Sequence, residues 1–252
     1  MTSFRIFLVL MLLLLVGCAQ KYTASAIQDT NLNTQKSKLI TQSDATYQTR
    51  LGWIYYKVQN YSEAAKWFRL ASIQGDPDAQ QALGYMYQIG QGVAQDYSEA
   101  AKWYRLSADQ GDYEAQFNLG TLYDDGKGVT KDWKEAIRLY QLAAARGDEL
   151  AQYKLGYKYY EGAGVIQDYS EAYRWWLLSA NQGYARSQYL LGICYLNGEG
   201  VPQSHPEAVK WLKLAANQGN IEAQDLLKKI TKVNNKRKKA MYQDYDPLNI
   251  RD

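Results

Sequence analysis

The sequence contains few of the residues that usually carry chemistry or cross-link a fold. It has one histidine, two cysteines, four prolines and four methionines in 252 residues. Two cysteines cannot build a disulfide framework, and a zinc site normally needs three or four ligands. We interpret His205 as an exposed turn residue and Cys194 as a small packing residue. The sequence therefore predicts no catalytic residue, no metal and no cofactor.

The chain also lacks a large excess of charge of either sign, since its net charge is only +3. A value this small does not indicate nucleic-acid binding. Its distribution is uneven, because residues 44–227 carry a net charge of −5 and residues 228–252 carry +5. We expect a mildly acidic body and a basic tail, with no nucleic acid among the partners.

The chain has one long apolar run, from Ile6 to Val16, behind a single charge at Arg5. The run is short for a membrane span but suits the apolar part of a secretory signal. It ends in Leu15-Val16-Gly17-Cys18, which resembles the lipobox of bacterial lipoproteins. The resemblance implies that residues 1–17 are a signal peptide and that Cys18 is lipidated. An ordinary signal peptide with a chance cysteine is the alternative.

The residues that follow Cys18 favour an envelope protein on a tether. Ala19, by similarity to lipoprotein sorting patterns, points to the outer membrane, facing the periplasm. Residues 18–43 are rich in polar side chains without apolar periodicity, so we expect a lipidated cysteine and a flexible tether.

The body of the chain repeats itself every 36 residues. The leading Glu of a Glu-Ala pair recurs at this step, and so does a later glycine. The two series are Glu63, Glu99, Glu135, Glu171 and Glu207, and Gly75, Gly111, Gly147, Gly183 and Gly219. A fixed period of this length is typical of solenoid proteins.

Each unit reads as two helices. The first carries Leu-Gly, as at Leu83-Gly84, and the recurring glycine predicts that another helix crosses there too closely for a Cβ. The second begins with a cap residue followed three positions later by Glu, which predicts a capping box with reciprocal hydrogen bonds. The five cap residues are Asn60, Asp96, Asp132, Asp168 and Ser204.

The full pattern combines Ala-x-x-x-Leu-Gly-x-x-Tyr, Gly-x-Gly-Val, Ala-x-x-Trp and Ala-x-x-x-Gly. It resembles the Sel-one-like repeat family, a relative of tetratricopeptide repeats, over about residues 44–227. The resemblance implies an all-α solenoid of about five helix-pair repeats in a right-handed superhelix. We expect repeats over residues 44–219, a capping helix over 220–232 and a disordered basic tail over 233–252.

Positions that face a groove are free to vary between repeats. By analogy with tetratricopeptide solenoids, these lie two before, two after and five after the Leu of each first helix. The aromatic residues at these positions are predicted to bind a partner: Trp53, Tyr56, Tyr85, Phe117, Tyr153, Tyr157, Tyr160 and Tyr189. The alternative for each ring is that it fills a gap between neighbouring helices.

The predicted function is binding rather than catalysis. The family resemblance implies a scaffold for protein–protein contacts, here with a protein or peptide partner and a membrane attachment through the N-terminal lipid. Some secreted relatives have been linked to cell-wall or β-lactam chemistry, so a cell-wall-active enzyme, a peptidoglycan-binding regulator or a surface-exposed host-interaction factor are alternatives. We interpret the acids Asp124, Asp125 and Glu161 as solvated loop residues.

Overall fold

The computed structural model describes residues 44–243, with side chains described to residue 232. This part of the chain contains eleven helices and no strand. In chain order they are α1 (Ala45–Lys57), α2 (Tyr61–Ile73), α3 (Pro77–Ile89), α4 (Tyr97–Ala108), α5 (Tyr113–Asp125), α6 (Trp133–Ala145), α7 (Glu149–Glu161), α8 (Tyr169–Asn181), α9 (Ala185–Asn197), α10 (His205–Asn217) and α11 (Ile221–Gln243).

Successive helices pack against each other along the chain. The most extensive contacts join the two helices of one repeat, and smaller ones join each second helix to the first helix of the next repeat. Helix α11 packs on α10 after the fifth pair. The predicted all-α solenoid of five helix-pair repeats is therefore confirmed.

In four of the five repeats, an aspartate caps the N-terminus of the first helix. The side chain of Asp76, for example, accepts a hydrogen bond from the amide of Ala79 at 2.9 Å. Asp112 and Asp148 cap α5 and α7 in the same way, and Asp44 caps α1 by accepting from the amide two residues on, that of Thr46. Tyr184 precedes α9 and makes no side-chain cap. This helix start is the one in which the amide donors lack a local acceptor side chain.

The second helices form only half of the predicted capping box. Each cap side chain accepts from the amide three residues later, as in the 3.0 Å bond from Glu99 N to Asp96 Oδ1. The Glu carboxylate does not return the bond, because it pairs with a Lys or Arg three residues further on, here Lys102. The cap amide instead donates to a tyrosine carbonyl of the preceding helix, as Asp96 N does to Tyr87 O at 2.9 Å.

The glycine of each Leu-Gly pair is required by close packing within the repeat. An ideal Cβ on Gly84 would lie 2.8 Å from the ring of Tyr104, and one on Gly156 would lie 2.3 Å from the indole of Trp176. The prediction of a close crossing is therefore confirmed. We call the second-helix residue that lies on this glycine the covering residue. In repeat order the covering residues are Phe68, Tyr104, Tyr140, Trp176 and Leu212, and all five are fully buried.

A glutamine after the second helix hydrogen-bonds to the first helix of its own repeat and to the end of the preceding repeat. Gln110, after α4, donates to the side chain of Gln80 at 2.8 Å and to the carbonyl of Gly75 at 3.0 Å. The same two bonds recur in the fourth and fifth repeats, from Gln182 and from Gln218. In the third repeat the equivalent residue is Arg146, and the Oε1 atom of Gln116 is buried without a hydrogen-bond partner.

The C-terminal helix differs from the predicted capping helix in its length and in one of its predicted core contacts. It continues to Gln243 instead of ending near residue 232, so residues 233–243 are helical and not part of a disordered tail. The sequence between these positions contains no glycine or proline that would end a helix. Leu226, Leu227 and Ile230 pack on the last core cluster as expected for a cap, whereas Ile221 is exposed.

The predicted signal peptide (residues 1–17), the lipidated Cys18 and the tether up to residue 43 lie outside the described residues, as do residues 244–252 of the tail. Among the helices over residues 44–243, none is sufficiently long and apolar to cross a membrane.

Candidate partner-binding surface

The first helices of neighbouring repeats share one surface, which we call the A-helix face (α1, α3, α5, α7 and α9). Helix α1 contacts α3 directly. Side chains also join the first helices further along, since Gln81 Nε2 donates to Glu114 Oε2 at 3.3 Å and Lys158 pairs with Asp124. Side chains of neighbouring first helices thus meet along this face.

Three of the predicted residues line one cavity at the start of this face. The N-terminal cavity has a volume of about 390 Å³ and is lined by Trp53, Tyr56, Phe68, Gln81, Ala82, Tyr85 and Glu114. The ring of Trp53 meets the rings of Phe68 and Tyr56 edge-on, with centroids 5.0 and 5.6 Å apart. Trp53 and Tyr85 keep 39% and 40% of their surface exposed, so the cavity presents aromatic rings to solvent.

Tyrosines also line two smaller cavities further along. The central cavity, of about 260 Å³, is lined by Asp124, Tyr153, Lys154, Tyr157, Lys158 and Glu161. The C-terminal cavity, of about 240 Å³, is lined by Tyr153, Tyr157, Arg186, Tyr189, Leu190, Asn220 and Glu222. Both are richer in charged groups than the N-terminal cavity.

The tyrosines of these two cavities are only partly open. Tyr157 packs edge-on against the buried Trp176 with centroids 5.5 Å apart, and burial, followed by the neighbouring Tyr153, raises the pKa of Tyr157 to about 12. Tyr153 packs against Tyr157 and Tyr184, with centroids 5.1 Å apart in each pair. These rings therefore contribute to packing as well as to the surface.

Two predicted binding residues, Phe117 and Tyr160, line none of these three cavities. Phe117 packs on the core residue Tyr140, with ring centroids 5.8 Å apart. Tyr160 packs against Tyr169 and Trp176, at 5.2 and 5.5 Å between centroids. For these two rings the structure favours the gap-filling alternative.

The residue five positions after the Leu of a first helix contacts the covering residue of its own repeat. It varies because the covering residue varies. Where the covering residue is Tyr104, its hydroxyl group donates a hydrogen bond to Gln88 Oε1 at 2.6 Å. Where it is Trp176, the matching position holds the aromatic Tyr160. Sequence reasoning missed the covering residues, although a large side chain directly after the recurring Trp (Leu139 in the third repeat) was a usable signal.

The interpretation of Asp124 as a solvated acid was wrong. Its carboxylate pairs with the ammonium of Lys158, and both side chains are about nine-tenths buried. Lys158 occupies a slot that holds apolar Met86 and Leu122 in the two preceding repeats, so its charge needs a partner. Asp125, in contrast, is exposed and pairs with Lys127.

The remaining candidate chemical groups occupy separate places. Cys194 is buried and not in a disulfide, and burial raises the pKa of its thiol to about 12, which makes it a poor nucleophile at neutral pH. His205 begins α10 and is exposed. Over the described residues, no group of three or more histidine, cysteine or acidic side chains is arranged to hold a metal ion.

Comparison with known structures identifies close relatives of this solenoid. A protective antigen present in uropathogenic Escherichia coli strains, which displays an SLR fold, is 35% identical with a TM-score of 0.71, over 73% of this chain and 40% of that one. A Sel1 repeat protein from Oxalobacter formigenes is 38% identical with a TM-score of 0.67, over 71% of this chain and 75% of that one. The chain thus spans less than half of the first relative. No curated protein matches the sequence.

The profile of the Sel1 repeat matches the chain five times in succession. The matched residues are 46–76, 77–112, 114–148, 150–184 and 185–220, and they coincide with the five helix pairs. Proteins built from this repeat generally serve as scaffolds that bind other proteins, and the repeat is typically a non-catalytic fold. The chain belongs to the Sel1 repeat family.

Proposed function

We propose that this protein is a non-catalytic scaffold of the bacterial cell envelope that binds an extended peptide segment of a protein partner along its A-helix face. The observation that carries the proposal is the open N-terminal cavity with Trp53 and Tyr85 at its surface. Tyrosine and tryptophan are favoured anchors at protein interfaces. The volume of the cavity lies within the range of roughly 300–1,000 Å³ that is common for binding pockets.

The test is crosslinking from a photoreactive residue at position 85 in the lipidated protein, in its own cells. Leu142 on α6 is the matched control position, because it is exposed to nearly the same degree as Tyr85, 42% against 40%, but lines none of the cavities. We expect a defined adduct from position 85 that is lost when Trp53 is replaced by alanine, and none from position 142. Equal adducts from both positions would contradict the proposal.

Tyr85→Ala separates binding from stability better than a change at Tyr157. Because Tyr85 is exposed, we expect its loss to change the free energy of unfolding by less than about 0.5 kcal/mol while the yield of partner captured from cells falls. Tyr157→Ala is expected to lower both, since its ring packs on Trp176. A matched loss of stability and capture in Tyr85→Ala would mean that this ring, too, belongs to the core.

The proposed location is the outer membrane, with the solenoid facing the periplasm and held by a lipid on Cys18. The support is the apolar run that ends in Leu15-Val16-Gly17-Cys18 and the polar segment after it. Two or more acyl chains anchor a protein far more firmly than one. Cys18→Ser should abolish labelling by a fatty-acid probe and release the protein from membranes. Continued labelling of the variant would refute the lipidation.

A surface-exposed orientation is a second candidate. It is favoured by the 35% identity to a protein described as a protective antigen. Protease treatment of intact cells distinguishes the two orientations, because it should digest the solenoid only if the protein is displayed on the surface.

A further inference from the structure

The N-terminal and C-terminal cavities are equivalent places in the solenoid, three repeats apart. The two cavities use the same repeat positions, since Trp53 corresponds to Tyr157, Ala82 to Leu190 and Glu114 to Glu222. Each cavity is therefore lined by aromatic side chains and by a glutamate from the first turn of a later helix, Glu114 in α5 and Glu222 in α11. The two cavities therefore differ in the side chains that line them and not in their place in the repeat.

The C-terminal cavity contains a cation of its own. The exposed side chain of Arg186 lines this cavity together with Tyr153 and Glu222. The phenol groups of Tyr153 and Tyr184 and the carboxylate of Glu222 all favour the charged form of Arg186 and raise its pKa. A guanidinium thus sits among tyrosines and a glutamate in this cavity.

The N-terminal cavity has the glutamate and the aromatic rings but lacks this cation. The position equivalent to Arg186 holds Asp78, an acid. Over residues 44–232, neither Glu114 nor Glu222 forms an ion pair with a lysine or arginine, and Glu114 accepts a hydrogen bond from Gln81 Nε2 at 3.3 Å. The glutamates at the starts of the second helices, by comparison, all have a cationic partner.

The charges around Glu114 make this absence unfavourable for the free protein. Partial burial raises the pKa of the Glu114 carboxyl, and the nearby carboxylates of Asp112, Asp148 and Asp78 raise it further. A cation in the cavity would relieve this repulsion. A guanidinium meets both requirements of the cavity, because its plane stacks on aromatic rings and its paired N–H groups match a carboxylate.

We propose that the N-terminal cavity binds an arginine side chain of the partner, which takes there the place that Arg186 occupies in the C-terminal cavity. Its guanidinium pairs with Glu114 and stacks against the exposed rings of Trp53 and Tyr85. This inference rests on the proposed function, and it gives the chemistry of the partner segment as an extended peptide with an arginine.

The test uses the full-length chain labelled with 5-fluorotryptophan, in detergent micelles. Fluorine NMR then reports each of the seven tryptophans, and the signal lost in Trp53→Phe assigns Trp53. The probe is acetyl-Ala-Arg-Ala-amide, and its matched control carries citrulline, which has nearly the same shape without the charge. We expect the arginine peptide to shift the Trp53 signal in a saturable way. The citrulline peptide should bind at least about tenfold more weakly, since a charge-assisted contact is lost.

Two variants locate the effect at Glu114. Glu114→Gln should weaken binding of the arginine peptide about tenfold, whereas Glu222→Gln, at the equivalent position of the C-terminal cavity, should leave it unchanged. Thermal unfolding of both variants checks that each is folded. Equal affinity for the arginine and citrulline peptides, an unmoved Trp53 signal, or equal effects of the two variants would overturn the inference.

The outcome also separates this inference from the proposed function. If the arginine peptide fails to bind while position 85 still crosslinks a partner, the arginine assignment is wrong and the scaffold function stands. If the peptide binds as expected but position 85 gives no adduct in cells, the cavity chemistry holds and the scaffold function is wrong.

Discussion

Tyr104 in the second repeat and Tyr140 in the third are equivalent covering residues, yet their hydroxyl groups meet different surroundings. The hydroxyl of Tyr104 donates to Gln88 at 2.6 Å. That of Tyr140 has only long contacts of 3.4 Å, to Thr121 and to Asp124. Asp124 is in turn paired with Lys158 of the fourth repeat.

The two repeats also differ at the end of the second helix. Gln110 hydrogen-bonds to Gln80 of its own repeat and to Gly75 of the preceding one, whereas Arg146 of the third repeat leaves the Oε1 atom of Gln116 without a partner. The helices, caps and glycines are nevertheless the same in both repeats. The geometry of the solenoid is thus set by the constant positions, while each repeat satisfies its buried polar groups in its own way.

The largest effect on this comparison is expected from Lys158→Met, which puts the residue type of the second repeat into the fourth. The change strands the largely buried carboxylate of Asp124 without a cation. Removing one partner of a buried ion pair costs about 3 kcal/mol. We therefore expect a drop of that size in the free energy of unfolding, measured by urea denaturation.

The matched control for Lys158→Met is the double variant with Asp124→Leu. It places apolar side chains in both positions of the pair; one repeat further on, the equivalent positions hold Tyr160 and the uncharged Cys194. Because replacing a whole buried ion pair by apolar residues is often neutral or stabilising, the double variant should recover most of the loss. A double variant as unstable as the single one would show that the lysine stem, and not the ion pair, stabilises this junction.

An intermediate effect is expected from removing the two hydroxyl groups. Tyr104→Phe should lower the free energy of unfolding by about 1 kcal/mol, because it deletes a short hydrogen bond at a fully buried ring. Tyr140→Phe should cost less than half of that, since its contacts are long and poorly aligned bonds are weak. Thermal and urea unfolding of both variants provide the measurement, and equal losses would contradict the difference between the repeats.

The sequence predicts those features of these two repeats that recur at every period. The caps Asp96 and Asp132, and the glycines Gly84 and Gly120, serve the same purpose in each repeat, so one chain compared with itself reveals them. The same comparison fails for Asp124. Its partner Lys158 is 34 residues away, in a slot that is apolar in neighbouring repeats.

Comparison of the repeats likewise predicts only part of the candidate site. Variability indicated positions on the A-helix face, where Trp53 and Tyr85 are open to solvent. Variability also arises where a residue matches a changing covering residue, as Tyr160 matches Trp176. A repeat alignment does not separate these two causes, because the distinction depends on which rings are covered in three dimensions.

A gain no larger than the effect of Tyr104→Phe is expected from Arg146→Gln, which gives the third repeat the glutamine of the second. The new side chain can donate to the orphaned Oε1 atom of Gln116 and to the carbonyl of Gly111, in the geometry that Gln110 uses with Gln80 and Gly75.

One buried acceptor gains a partner in Arg146→Gln, while an exposed arginine that forms no ion pair in the described chain is lost. A satisfied buried acceptor is worth about 0.5–1 kcal/mol net. We expect the free energy of unfolding to rise by that amount. The converse change in the second repeat, Gln110→Arg, should lower it by at least as much, because it strands Gln80 and leaves the Gly75 carbonyl to water. If the two variants shift stability in the same direction, the glutamine bonds do not account for the difference between the repeats.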